Sequence, residues 1–242
     1  MFGGNQLLEA VEASVQARFA AKVQRIELKR DEVLYSQGSD LERVYFPTSG
    51  LIGIQAETAD GETVESSIVG REGAIGAFEA CGSRKFFAEA VVQIPGSAAR
   101  MSASVYRDLF EQSPALRTAV HRYVEQLMSE TRQYVVCNSL HPVEARLARI
   151  LLESIDKSGL DHTLPLTQNA LGRMLGAQRT TVALIISRMQ RQGVLSGRRG
   201  TLTIEDRSAL EAIACSCREA LQFTRRAIHA AREPTCEEVI AA

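Results

Sequence analysis

The sequence predicts an α+β protein: an N-terminal β-sandwich of jelly-roll type, a long helix and a C-terminal winged helix-turn-helix. Three observations carry this. Short β-prone runs with Gly and Pro turn signals fill the chain before residue 100, where 11 of the 17 glycines lie. An apolar stripe at three- and four-residue steps then runs from Pro114 to Asn138. Residues 166–195 read as two short helices joined at Gly176, followed by VLSGRRGTLTI, two β-prone runs around a Gly-Arg-Arg-Gly tip. The expected division is 1–112 for the sandwich, 113–139 for the long helix and 140–242 for the C-terminal domain with a helical extension.

Taken in order, residues 5–20 form one amphipathic helix with Leu7, Leu8, Val11 and Val15 on one side. From Val23 to Met101 the runs VQRIEL, EVLY, RVYF, GLIGIQAE, ETVESSIVG, AEAVVQI and SAARM read as strands. Turns are expected at Ser36-Gln37-Gly38, Pro47-Thr48-Ser49-Gly50, Asp60-Gly61 and Pro95-Gly96. Ser102–Phe110 is a helix, and Ser113-Pro114 starts the long one, proline being well placed in a first turn.

In the long helix Leu116, Val120, Val124, Leu127, Thr131 and Tyr134 share a stripe that Tyr123, Met128 and Val135 widen. At 1.5 Å per residue it is roughly 38 Å long, more than a small sandwich needs for cover. The helix is therefore read as both a lid on the sandwich and, through these six residues, a dimer seam in coiled-coil style, the alternative being a helix that serves the intramolecular core alone. Leu140-His141-Pro142 breaks the helix and marks a hinge. Val143–Ile155 is a helix, DKSGLDHTLP a loop, and 206–231 a further helical stretch before a frayed tail.

Thr167 is a suitable N-cap for the first helix of the pair, and Gly176 a suitable left-handed terminator. The second helix starts near Gln178 and turns Val182, Ile185, Ile186 and Met189 inward. Gln178, Arg179, Thr180, Thr181, Ala183, Ser187 and Arg188 are left for the open side, with Leu184 ambiguous. From Leu164 to Ile204 there are six arginines (Arg173, Arg179, Arg188, Arg191, Arg198 and Arg199) and no acid, on a chain whose net charge is −1. An acid-free basic region on a helix pair with a wing is the electrostatic footprint of double-stranded DNA binding. Thr167, Gln178, Arg179, Thr180, Thr181, Leu184, Arg188, Arg198 and Arg199 are the candidate contacts. The plain alternative is a helical subdomain with solvated arginines.

Composition excludes little by itself: 45% hydrophobic and 24% charged residues are ordinary for a globular chain. No apolar run approaches the roughly 18 residues needed to span a bilayer, so no membrane role is expected. The N-terminus lacks a basic leader, and five scattered cysteines, Cys81, Cys137, Cys215, Cys217 and Cys236, suit a reducing cytoplasm. Cys215 and Cys217 fall on a helical pattern, where i and i+2 do not share a face, so no metal site is assigned to them. A cupin-like metalloenzyme needs several histidines on its strands. His121, His141, His162 and His229 all lie beyond them, and no phosphate-loop, dinucleotide or nucleophile-elbow motif appears. The protein reads as a non-enzyme without a cofactor, and Glu72 and Glu79 as solvated loop charges.

VYFPTSGLIGI, GREGAIG, PVEARLARILL and above all LGRMLGAQRTTVALIISRM resemble the cAMP receptor protein/FNR superfamily of bacterial transcription regulators, over about residues 23–204. The resemblance implies a cyclic-nucleotide-binding-like sandwich, a homodimer, a near-palindromic operator and contact with RNA polymerase. In the family the second helix opens with Arg-Glu-Thr-Val; here it is Arg179-Thr180-Thr181-Val182. Arg179 thus inherits base reading and Thr181 a phosphate contact, while Thr180 replaces the Glu and Leu184 stands where a second base-reading Arg is common.

The family's nucleotide cassette uses Gly-Glu for the ribose and Arg-Ser or Arg-Thr for the cyclic phosphate. Here Gly73, Gly76 and Ala77 occupy the first part, with Ala77 at the Glu position and Phe87-Ala88 near the Arg-Ser position. Arg84 is the residue able to substitute through a shifted loop. The expectation is that cAMP does not bind in the usual way and that the effector is another signal. A second reading makes the sandwich a dimerisation scaffold only, and a third a small-molecule-binding protein without DNA. The family's iron–sulfur members carry cysteines near the N-terminus, whereas the first here is Cys81.

Overall fold

The computed structural model describes residues 3–61, 63–198 and 200–230. Arg199, Cys236 and the expected frayed tail therefore lie outside the described residues. The chain opens with two helices, α1 (Gln6–Glu9) and α2 (Ala13–Ala20), rather than one. Asn5 sets this start. Its Oδ1 accepts from Leu8 N, while its Nδ2 donates to Pro47 O and Gly73 O, tying the first turn to the sandwich. Leu7, Leu8, Val11 and Val15 are all buried, as the amphipathic pattern requires.

The strands are β1 (Gln24–Leu28), β2 (Val33–Tyr35), β3 (Ser39–Asp40), β4 (Arg43–Glu57), β5 (Thr63–Val69), β6 (Lys85–Phe86) and β7 (Glu89–Ser102). β1, β7, β4 and β5 pair antiparallel in that order, β2 also pairs with β7, and β3 pairs with β6. β4 and β7 each merge two of the expected strands. Pro47–Gly50 and Pro95-Gly96 are not turns but facing irregularities, with register shifts around Ser49. Gly50 has φ 85°, and a Cβ at Gly96 would collide with the Ser49 carbonyl. Glycine is needed at both places for the two backbones to approach.

Next come α3 (Ala103–Gln112), capped by Ser102, and α4 (Pro114–Leu140), capped by Ser113 with Pro114 in its first turn. α5 (Val143–Ser158) ends at Gly159, φ 77°. The loop that follows contains an unforeseen strand, β8 (Thr163–Leu164). After it stand α6 (Gln168–Leu175), α7 (Arg179–Arg191), β9 (Leu195–Arg198) and β10 (Thr201–Ile204), the wing sheet running β8-β10-β9. The final helical pattern splits into α8 (Arg207–Ile213) and α9 (Cys217–Ala230). Ala214 is extended, and Cys215 N donates to Ala145 O at the break. The chain thereby reverses, and α9 lies along α4, with Arg225 bridging to Glu130 at 3.1 Å. No helix among the described residues is long and apolar enough to cross a membrane.

One core fills the sandwich and takes in α1–α4; a second joins α5–α8 and the wing to Leu51, Ile68 and Ile94 of the sandwich. Where the two halves meet, Lys157 is buried with its Nζ 2.7 Å from Glu130, 3.1 Å from Glu72 and 3.5 Å from Glu153. Arg149 pairs with Glu153 at 2.7 Å and lies over the Tyr134 ring, whose hydroxyl donates to Glu153. Three carboxylates are thus matched by Lys157, Arg149 and Arg225. Burial alone would push the Glu130 carboxyl up, but Lys157 and Arg225 hold it down to about 2. Glu72 is therefore no solvated loop charge, because α5 supplies a cation from 85 positions away in the chain.

Candidate nucleic-acid interface

α6 is positioned by its ends. Thr167 Oγ1 accepts from Ala170 N at 3.1 Å, and Gly176 takes φ 56°, a left-handed C-cap. Between α6 and α7 the backbone passes so close that a Cβ at Gly172 would lie 2.9 Å from Ala177 O. This fixes the angle of α7. Val182, Ile185, Ile186 and Met189 are buried, while Gln178, Arg179, Thr180, Thr181, Ser187 and Arg188 are exposed. Leu184, ambiguous in sequence, is 72% exposed. Gln178 makes no side-chain cap, so the first N–H groups of α7 remain directed outward, a favourable end for an anion.

A groove of about 840 Å³ runs between α6, α7 and the wing, and Thr167, Arg173, Arg179 and Arg198 line it. Its far edge is Asp31 of the β1–β2 turn, the sandwich's approach to this face. Arg188 turns away from the groove toward α5, pairing with Glu144 at 2.8 Å. The wing tip needs positive φ at Gly197 and Gly200, which bracket Arg198.

The other candidate residues fare differently. Of the six seam residues, Leu116, Val120 and Tyr134 are buried inside the chain itself, and Val124 and Leu127 pack partly against the sandwich core. Those three positions thus pack within one chain, against the sandwich and α5. A second stripe remains outside, with Val124 and Thr131 half-buried beside Met128 and Val135, 51% and 63% exposed. In the cassette, Ala77 is buried in the core, Gly76 has φ 83°, and a Cβ at Gly73 would collide with the Tyr123 ring of α4. Arg84 is exposed at φ 60° and reaches Glu79 and Leu41 through backbone hydrogen bonds. Phe87 is likewise exposed.

Residues 145–213 match the Crp-like helix-turn-helix domain, and residues 25–113 match the cyclic nucleotide-binding domain. The chain belongs to the Crp/FNR family of transcription regulators. It is similar to the anaerobic regulatory protein of Pasteurella multocida, 23% identical over 189 residues that make up 76% of this chain and 69% of that protein. It is equally similar to the CRP-like cAMP-activated global transcriptional regulator of Mycobacterium tuberculosis, 23% over 185 residues, 73% of this chain and 81% of that one. Two solved structures share the fold. FixK2 of Bradyrhizobium japonicum has a TM-score of 0.69 at 15% identity, covering 80% of this chain and 98% of that chain. The c-di-GMP-responsive regulator CLP of Xanthomonas campestris has 0.65 at 19%, covering 81% and 100%.

Within this Crp/FNR chain one cluster escaped the sequence reading. The α8–α9 break brings Cys215 and Cys217 beside Cys137 and His141 at the end of α4, their ligand atoms all within 4.8 Å of one another. Cys137 and His141 stand one helical turn apart, a spacing visible in the sequence. Their partners were masked by reading 206–231 as unbroken helix.

Proposed function

We propose that the protein is a cytoplasmic, homodimeric regulator that reads a near-palindromic operator with α7. The observation that carries this is the exposed, acid-free N-terminal half of α7 beside the Arg198 wing. Two copies of α7 enter successive major grooves about 34 Å apart. Arg179 reads guanine through O6 and N7, and the exposed Leu184 contacts a thymine methyl, which its apolar side chain suits better than a polar edge. Thr181, Thr167 and Arg198 hold phosphate.

Arg179→Ala is expected to cost about 1–3 kcal/mol of operator affinity and relax specificity at one position. Arg198→Ala should weaken binding to all sequences alike and lower the salt slope by about one unit. Fluorescence anisotropy on operator and scrambled duplexes across a salt series separates the two. Unchanged specificity in Arg179→Ala removes α7 from the reading position.

The sandwich is proposed as a sensor that does not take cAMP in the usual manner, because Ala77 offers no carboxylate and is packed in the core. A buried cyclic phosphate without a guanidinium partner is costly. The packed cassette also favours a second reading, a constitutive regulator with a scaffold sandwich. Selection of genomic fragments by the purified protein, with and without cyclic nucleotides and a reductant/oxidant pair, decides. A palindrome enriched with one additive supports sensing; the same palindrome under all conditions supports the scaffold. No enriched fragment at moderate salt counts against DNA reading.

A further inference from the structure

We propose that Cys137, His141, Cys215 and Cys217 form a closed tetrahedral site for one soft divalent cation, zinc by its chemistry, which clamps the end of α4 to the α8–α9 turn. Cys137 Sγ lies 3.4 Å from Cys215 Sγ, and Cys217 Sγ lies 3.4 Å from His141 Nδ1. With Zn–S near 2.3 Å and Zn–N near 2.0 Å, the edges of a tetrahedron are about 3.8 Å between sulfurs and about 3.5 Å between sulfur and nitrogen. Four atoms within 4.8 Å of one another match that size. They need only small shifts to surround an ion.

The surroundings are those of a ligand set rather than of spare thiols. All three cysteines are buried, yet they gather with Ala145 in a small cluster separate from both main cores. Gln133 Nε2 lies 3.0 Å from Cys217 Sγ, and the Arg149 guanidinium is near enough to attract the Cys137 sulfur electrostatically. Donors to ligating sulfur orient it, and a cation offsets the excess negative charge that three thiolates leave on a dication. Three thiolates and an imidazole favour Zn²⁺ over Mg²⁺, Ca²⁺ or Mn²⁺, which prefer oxygen. On binding, each thiol gives its proton to solvent and the imidazole binds through Nδ1. Four protein ligands leave no open position, so the site is structural, not catalytic.

Its place explains what it does. Cys137 and His141 come from the last turn and C-cap of α4, immediately before Pro142, where the chain turns into α5. Cys215 and Cys217 come from the reversal that lays α9 along α4. The ion spans the hinge and fixes α9 and the C-terminal half against the long helix. A reducing compartment keeps the thiols available.

The test uses full-length, untagged protein purified under reducing conditions. Elemental analysis is expected to find about one Zn²⁺ per chain that survives dialysis, the stoichiometry of a four-ligand site. Cys217→Ser and His141→Ala should lose it, and Cys81→Ser should retain it. Should the ligand variants fail to fold, wild-type protein stripped with a chelator and titrated with Co²⁺ gives an independent answer. Visible d–d bands with sulfur-to-metal charge transfer are expected at one equivalent. Chelation should also lower Tm. The proposal is overturned by reduced wild-type protein that binds neither ion stoichiometrically. Zinc retained in Cys217→Ser, or a Cys137–Cys215 disulfide found by peptide mass in freshly isolated protein, overturns it equally.

Discussion

Lys157→Met is expected to destabilise the fold by about 3–5 kcal/mol at neutral pH, the usual cost of removing one partner from a buried ion pair. The magnitude follows from what is left behind. Lys157 Nζ reaches Glu72, Glu130 and Glu153 within 3.5 Å and also donates to Ile68 O at 2.9 Å. Without it, Glu153 keeps Arg149 and Glu130 keeps Arg225, but among the described residues Glu72 keeps only the backbone N–H of Gly70. The four elements concerned, the turn after β5, α4, α5 and α9, then lose a common tie.

The effect has a pH signature. In the wild type Glu130 is held down to about 2, so its stabilisation is complete above its ordinary value of 4.5 and fades as pH falls from there toward 2. In the variant the loss of Lys157 leaves an excess of buried negative charge, which acid relieves. Acid therefore weakens the wild type while relieving the variant, and the gap between them should narrow below about pH 4.5. Urea unfolding at pH 7 and at pH 4 measures it. A variant within about 1 kcal/mol of wild type at pH 7, or a gap indifferent to pH, means that the network contributes little net stability.

Lys157 also shows where sequence reading stops. α6 and α7 were legible because their signals are local: a Thr cap, a Gly terminator, an apolar period and an acid-free stretch. Lys157 in a helix looks like any solvated lysine with a glutamate one turn before it, since its other two carboxylates come from the turn after β5 and from α4. The long strands failed for a related reason. Pro47, Gly50, Pro95 and Gly96 have turn chemistry, yet β4 and β7 place these positions opposite each other as bulges, which only the pairing reveals. The α8–α9 break has no Gly or Pro to announce it: Ala214-Cys215-Ser216 is held open by a tertiary hydrogen bond to Ala145. With that break hidden, the Cys/His cluster was hidden too. The cassette departures, by contrast, were readable residue by residue; Ala77 is as buried as an apolar replacement should be.

Met128→Glu is expected to yield a folded monomer whose operator affinity falls by about 10²- to 10⁴-fold, the avidity lost when two half-sites are no longer engaged together. α4 is long enough to carry two apolar stripes, and periodicity alone does not say which one faces inward. The structure gives Leu116, Val120 and Tyr134 to the intramolecular core. It leaves Met128 and Val135 exposed beside half-buried Val124 and Thr131, the four spaced four, three and four apart. Alternating steps of four and three are the spacing of a two-helix seam. Met128 is 51% exposed and belongs to neither core, so a charge there should disturb little within one chain, and the thermal melt of the monomer should stay close to wild type apart from the lost association. Leu127→Glu makes the contrast. Leu127 packs against the sandwich core, so its replacement should lower stability within the subunit before it alters assembly. Sedimentation and anisotropy on both variants separate seam from core. An intact dimer with full operator affinity in Met128→Glu places the subunit contact elsewhere than on α4.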